Sequence, residues 1–208
     1  MKTLFSIIIA LLVATNVFAQ KVIRESIEYS GSKIEMEFNF ANLITIETWG
    51  KSIVELEVIV SINDNRSNEY YNLDISKRGA SLNLTEKINF KRKNENINSD
   101  IVYKLKVPEN SEISLNTISG KIEMFGLFSK SDISSISGFI DYSIPKTQKA
   151  RFSVSTISGS VFQNIDFESY DMDASPVGTK GYLTMNGGNN KISLKTISGD
   201  IYLRELTR

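Results

Sequence analysis

The stretch that decides the fold runs from Ile192 to Leu203, "ISLKTISGDIYL". Ile192 and Leu194 alternate with Ser193 and Lys195, and Thr196 keeps their phase. Beyond Gly199 the apolar residues Ile201 and Leu203 fall on the opposite parity. Consecutive side chains of a strand point to opposite faces, so a change of parity demands a bend or bulge. A glycine beside the bend tolerates the positive φ or close backbone approach that such a corner imposes. T-I-S-G therefore reads as the corner of a coil, with the parity switch between the threonine and the isoleucine. The Thr and Ser hydroxyls would satisfy corner backbone groups. Ile197 and its equivalents Ile118, Ile136 and Ile157 are expected to plug the core.

The same four letters stand at Thr117–Gly120, at Ser135–Gly138 as S-I-S-G, and at Thr156–Gly159. The glycines at 120, 138, 159 and 199 are separated by 18, 21 and 40 residues. The last interval is about double the others, which places a degenerate copy in "GTKGYLTM", with Gly181 as its corner glycine and Leu183 and Met185 following. The intervals then read 18, 21, 22 and 18. A regular period near twenty residues is the sign of stacked units that bury themselves against their neighbours. The expected fold is all-β: a β-solenoid-like stack of coils of about 20 residues with an N-terminal β-hairpin region.

Upstream of the repeat the alternation continues. "KIEMEFNF" puts Ile34, Met36, Phe38 and Phe40 on one face and Glu35, Glu37 and Asn39 on the other. "SIVELEVIV" repeats the pattern with Leu56, Val58 and Val60. No segment sustains a helical apolar stripe. Glycine turns at Ser30-Gly31, Trp49-Gly50 and Arg78-Gly79 punctuate the strands. Residues 20–208 read as one domain, with N-terminal strand pairs over 20–106 and T-I-S-G coils over 107–208.

The units "NTISGKIEM", "SSISGFIDY", "STISGSVFQ" and "KTISGDIYL" resemble the repeated element of the bacterial putative-adhesin family. The resemblance extends over roughly Ile27 to Leu206. It implies an exported β-solenoid-like domain and supplies no catalytic or binding residue to carry over. Ser135 in place of Thr, and the eroded copy around Gly181, depart from the family pattern.

Residues 1–19 have the layout of a secretory signal peptide: Lys2, an apolar run from Leu4 to Val13, and Val17-Phe18-Ala19 before the expected cleavage. The mature chain would begin at Gln20 and be periplasmic, surface-exposed or secreted, with no further transmembrane segment. The full chain has 24 basic and 24 acidic residues. Loss of Lys2 leaves 23 against 24, a net charge of −1. Such a chain has no electrostatic footprint for nucleic acid. Cysteine and histidine are both absent, which excludes disulfides, a lipid-bearing N-terminal cysteine, zinc sites and nucleophile–histidine pairs. The composition points to no cofactor.

Two surface constellations remain. The acidic run with Asp166, Glu168, Asp171 and Asp173 has the oxygen chemistry of a calcium site but not the spacing of an EF-hand loop; a solvated insertion is the plainer reading. Outward positions after the corners include Phe139, Phe162, Tyr182 and Tyr202, an aromatic column suited to a sugar ring or a partner chain, or else ordinary cross-rung packing. Asp141 and Asp200 fall at non-equivalent positions and make a poor acid–base pair. The expected function is that of a non-enzymatic, adhesin-like interaction protein of the cell envelope with a protein or glycan ligand. The alternatives are a carbohydrate-binding or carbohydrate-active β-helix protein, or an envelope scaffold.

Overall fold

The computed structural model describes residues 19–31, 33–89, 98–175 and 178–206. Residues 1–18, which carry nearly all of the expected signal peptide, lie outside the described residues. Seven strands precede the repeat: β1 (Lys21–Glu28), β2 (Lys33–Glu37), β3 (Leu43–Trp49), β4 (Ile53–Ile62), β5 (Tyr71–Arg78), β6 (Ser81–Ile88) and β7 (Ser99–Pro108). The first repeats supply β8 (Glu112–Thr117), β9 (Lys121–Phe125), β10 (Lys130–Ser137), β11 (Ile140–Ile144), β12 (Ala150–Ser158) and β13 (Val161–Gln163). The chain closes with β14 (Ser169–Ser175), β15 (Gly178–Met185), β16 (Asn190–Ser198) and β17 (Ile201–Glu205).

These strands form two sheets that pack face to face. One has the order β1-β4-β7-β3-β9-β11-β17-β13; the other has the order β14-β15-β12-β16-β10-β8-β2-β6-β5. Each T-x-S-G unit leaves the second sheet and enters the first, as in β8 to β9 or β16 to β17. The inner faces meet in one apolar core, with Leu115, Ile133, Leu194 and Val154 of one sheet against Ile122, Ile140, Tyr142 and Ile201 of the other.

The all-β expectation stands, but the β-solenoid is overturned. A solenoid stacks its coils in chain order, and this chain does not. The last repeat inserts β16 between β10 and β12, with all three parallel, and β17 likewise separates β11 from β13. Antiparallel pairs frame both ends: β1/β4, β4/β7 and β5/β6 at one, β12/β15 and β14/β15 at the other. The sheets are mixed and neither is closed. The physical reason is that near-identical corners make near-identical rungs. Any rung can lie beside any other, so the period alone does not dictate the stacking order.

Gly181 is not a corner. It lies in the middle of β15 opposite Met172, and a Cβ there would collide with the Met172 sulfur. The segment counted as a fifth coil is instead an antiparallel hairpin, β14–β15, that covers the edge of β12. In the N-terminal half, β2 and β3 do not pair with each other. β2 lies between β6 and β8, and β3 between β7 and β9. The β2–β3 connection is thus a further corner of the same stack, with Ala41 beside Gly120. The inward alternation of "KIEMEFNF" holds through Phe38 and ends there; Phe40 is turned partly to solvent.

The corners are held by glycines stacked on one another. A Cβ on Gly138 would overlap the carbonyl oxygen of Gly120, one on Gly199 that of Gly138, one on Gly159 that of Gly199, and one on Gly120 that of Ala41. Gly120, Gly138 and Gly199 also have φ of 100°, 138° and 148°, in the region that disfavours side chains. Backbone bonds continue the ladder through the corner: Gly138 N–H donates to Ser198 O at 2.9 Å and Gly199 N–H to Ser158 O at 2.9 Å.

The threonines, not the isoleucines, fill the corners from inside. Thr117, Thr156 and Thr196 are buried. Their hydroxyls donate to Phe38 O (2.6 Å), Gly199 O (2.8 Å) and Gly138 O (3.2 Å), each on the neighbouring rung. Ile118, Ile136, Ile157 and Ile197 stand 46–55 % exposed, against the expectation that they plug the core. The parity switch falls after the isoleucine, at the Ser-Gly step, so strict alternation from Leu115 and Thr117 carries Ile118 outward. Ser135 is buried in the threonine position with an unpartnered hydroxyl among the described residues.

Two stability measurements follow from the corners. Gly199→Ala should cost about 2–4 kcal/mol in chemical denaturation. Gly50→Ala should shift the same curve little, because its Cβ would meet nothing within 4 Å. Ser135→Thr should stabilise the chain by about 1 kcal/mol, because the added methyl restricts χ1 and holds the hydroxyl in the rung-to-rung orientation that Thr156 and Thr196 adopt. Equal losses for the two alanine variants would contradict the stacked-glycine account.

Candidate functional site

The aromatic residues singled out from the sequence do not form one column. β11, β17 and β13 are adjacent parallel strands of the first sheet. Ile140 and Ile201 of these strands face the core, so alternation turns Phe139, Tyr202 and Phe162 outward. Tyr202 and Phe162 are in register, and their rings stack at 5.1 Å between centroids and 16° between planes. Phe139 meets the edge of Tyr202 at 6.0 Å and 78°. The three rings span three neighbouring strands, a strip of roughly 10 Å at ordinary strand spacing. Phe162 is 49 % exposed and Phe139 37 %.

Tyr182 is not part of this strip. It lies on β15 in the opposite sheet, exposed to solvent, with Lys180 Nζ 5.5 Å from its ring centre. Its place in the expected column depended on the copy at Gly181, which is a hairpin rather than a coil.

Polar groups border the three rings. Arg204 lies 5.0 Å from the Tyr202 ring centre and grips Asp141 with Nε at 3.0 and 3.1 Å from the two carboxylate oxygens. Asp200 accepts the Ser160 N–H at 2.8 Å and the Tyr202 hydroxyl at 3.3 Å. Burial and the Asp200 carboxylate both hold the Tyr202 hydroxyl above its usual range, so it is a donor at neutral pH. Lys121 Nζ sits 5.0 Å from the Phe139 ring centre. Beside the stacked pair, Phe162, Gln163, Asn164, Tyr202, Leu203 and Arg204 line a shallow depression of about 230 Å³. Asn164 Oδ1 accepts the Glu205 N–H at 2.8 Å, which fixes the amide at its rim.

This arrangement offers flat apolar faces with hydrogen-bonding groups at their edges, which suits binding. Asp141 is paired with Arg204, and Asp200 is committed to a backbone amide and a phenol. No group of three or more Asp or Glu side chains converges on a cation-sized site among the described residues. Asp171 and Asp173 lie on the exposed edge strand β14, opposite Tyr182 and Lys180. Glu168 accepts the Gly187 N–H at 2.9 Å and so pins the β15–β16 turn.

A larger trough of about 560 Å³ crosses the outer face of β1, β4, β7 and β3. At its centre Glu57 is bridged by Lys104 at 3.2 Å and by Arg24 at 2.8 Å, and these two cations hold its carboxyl below the usual range. The most perturbed groups are structural. Burial pushes the Glu86 carboxyl up while the Phe40 N–H binds it at 2.8 Å. Burial likewise raises Tyr71 and Tyr103, whose hydroxyls share a bond of 2.9 Å in the core.

Sequence reading missed the four outward isoleucines. β8, β10, β16 and β12 are neighbours in one parallel register, so Ile118, Ile136, Ile197 and Ile157 line up as a ridge along the corner edge. Parity carried on from Leu115 through Thr117 agrees with their outward placement, but the stacked glycines set where that parity breaks.

No family model matches the chain, and no curated protein matches it in sequence. Among solved structures, its fold is similar to that of a putative cell adhesion protein from Clostridium sporogenes. That match has 11 % identity and a TM-score of 0.60, and covers 90 % of this chain and 100 % of the other. A putative adhesin from Bacteroides fragilis also matches, at 11 % identity and a TM-score of 0.26 over 90 % of this chain and 98 % of its own. One from Parabacteroides merdae matches at 12 % identity and 0.29, over 90 % and 97 %. The first match shares the fold. The other two superpose too loosely to carry an argument.

Proposed function

We propose that this chain is an exported, non-enzymatic, adhesin-like interaction protein of the cell envelope that binds its ligand on the Phe139–Tyr202–Phe162 strip. The observation that carries this reading is the stacked pair in which Phe162, 49 % exposed, lies on the half-buried Tyr202. A folded domain gains little by leaving such a ring in water, and contiguous apolar patches on domain surfaces mark contact surfaces. The fold shared with a putative cell adhesion protein supports the same reading, as does the signal-peptide layout of residues 1–19. On this account the mature chain acts in the periplasm, on the surface or in the medium.

A carbohydrate ligand is the second reading favoured by a specific observation. The strip couples ring faces to the Arg204 guanidinium, the Asp200 carboxylate and the Asn164 amide, the donor and acceptor mixture that sugar hydroxyls require. Turnover is not part of the proposal. Arg204 neutralises Asp141 and leaves Asp200 without a partner acid of the kind glycoside hydrolysis uses.

Binding to a panel of envelope polysaccharides and envelope proteins, with product analysis on the same mixtures, tests the proposal. Phe162→Ala and Tyr202→Ala should each weaken binding by about tenfold or more and leave the unfolding curve close to that of the parent. Binding unaffected by both changes would remove the strip from the account. Reproducible product formation would contradict the non-enzymatic reading.

A further inference from the structure

The isoleucine ridge is distinct from the aromatic strip, which lies on the other sheet beyond the corner, and the two share only Asp200 at their common border. Ile118, Ile136, Ile197 and Ile157 are 46 %, 49 %, 47 % and 55 % exposed. They stand on adjacent strands in strict register, so the ridge is roughly 15 Å long at strand spacing. The serines of the same motifs flank it. Burying isoleucine is among the larger single gains available to a protein surface, and four identical side chains in a row are more than packing of the corner demands, since Thr117, Thr156 and Thr196 already fill it.

Its flanks carry opposite charges in one repeat unit. Lys195 lies two residues before Ile197 on the β16 side, exposed, with no ion pair among the described residues. Asp200 lies three residues after Ile197, across the corner, and accepts bonds from Ser160 and Tyr202 but from no cation among the described residues. A two-fold axis lying along the ridge sets each isoleucine beside its own mate and exchanges the two flanks. Lys195 of one copy then meets Asp200 of the second copy, and the reverse pair forms on the other side. A two-fold interface requires such self-complementarity, and a mature chain with 23 basic and 24 acidic residues meets almost no net repulsion from its own copy.

We infer that the T-x-S-G corner edge is a self-association surface, at which two copies pack their isoleucine ridges together and close the contact with reciprocal Lys195–Asp200 pairs. The ridge is smaller than the ~800 Å² per partner of a standard interface, so the association is weak and concentration-dependent, as suits clustering of an envelope protein rather than an obligate dimer.

Sedimentation equilibrium of the purified protein, expressed from its full-length gene, reads this directly. The parent should form dimers at high micromolar concentration, and Ile136→Glu should be monomeric with an unchanged unfolding midpoint. Lys195→Glu and Asp200→Lys each place like charges across the axis and should weaken the dimer by about tenfold or more. Mixing these two variants should restore it, because each now supplies the partner that the other lacks. Should Asp200→Lys lose its fold, Asp200→Asn introduced into the Lys195→Glu chain removes the same repulsion and restores association. A parent that stays monomeric, a dimer indifferent to Ile136→Glu, or a mixture no stronger than its components would overturn the inference. So would binding of the monomer to lipid vesicles or polysaccharide that Ile136→Glu abolishes, which would give the ridge another occupant.

Discussion

At each corner of this protein a carbonyl oxygen occupies the place that a side chain would need. Gly120, Gly138, Gly199 and Gly159 succeed one another in space, each leaning on the carbonyl of its neighbour, with Ala41 at the start of the row. This contact sets how closely the rungs approach at the edge of the sandwich. It also forces the chain to cross from one sheet to the other within the Ser-Gly step. The remaining features of the repeat follow from where that crossing falls. Residues before it keep the parity of one sheet and residues after it take the parity of the other.

The surface chemistry is a consequence. Because the crossing follows the isoleucine, threonine turns inward and locks its rung to the next through a carbonyl, and isoleucine turns outward. Because parity restarts after glycine, Phe139, Tyr202 and Phe162 face solvent on the first sheet, within a few residues of the ridge on the second. A repeat whose local geometry satisfies stability thus places two apolar features on opposite sides of one edge. Neither is needed by the core, which is complete without them, and that is why both are read as contact surfaces: one for a ligand, one for a second copy.

Much of this was legible in the sequence. Alternation in "ISLKTISGDIYL" gave the strands, the corners and the outward positions of the aromatics after them, and composition removed histidine and cysteine chemistry. Three things were not legible, each for a physical reason. The destination of Ile197 turned on a parity switch displaced by one or two residues, and only the stacked glycines locate it. The apparent copy at Gly181 has the right spacing, but its glycine makes room for Met172 across an antiparallel pair, a contact that spacing cannot report. The order of rungs depends on which neighbour each corner meets, and near-identical corners encode no preference. The stacking order was therefore taken from the chain order, and the solenoid inferred from it was wrong.

That order is the central claim of the account, and disulfide trapping tests it most directly because the chain has no cysteine of its own. Ser134 of β10 is in register beside Lys195 of β16, and Lys195 is in register beside Ser155 of β12. Neighbouring rungs lie within the span a disulfide bridges, and alternate rungs, about 9–10 Å apart, do not. Under mild oxidation the double variant Ser134→Cys/Lys195→Cys should cross-link quantitatively in the folded state, while Ser134→Cys/Ser155→Cys should keep free thiols. The reverse outcome, with the second pair closing and the first remaining open, would mean that the rungs stack in chain order and that the two-sheet arrangement described above is incorrect.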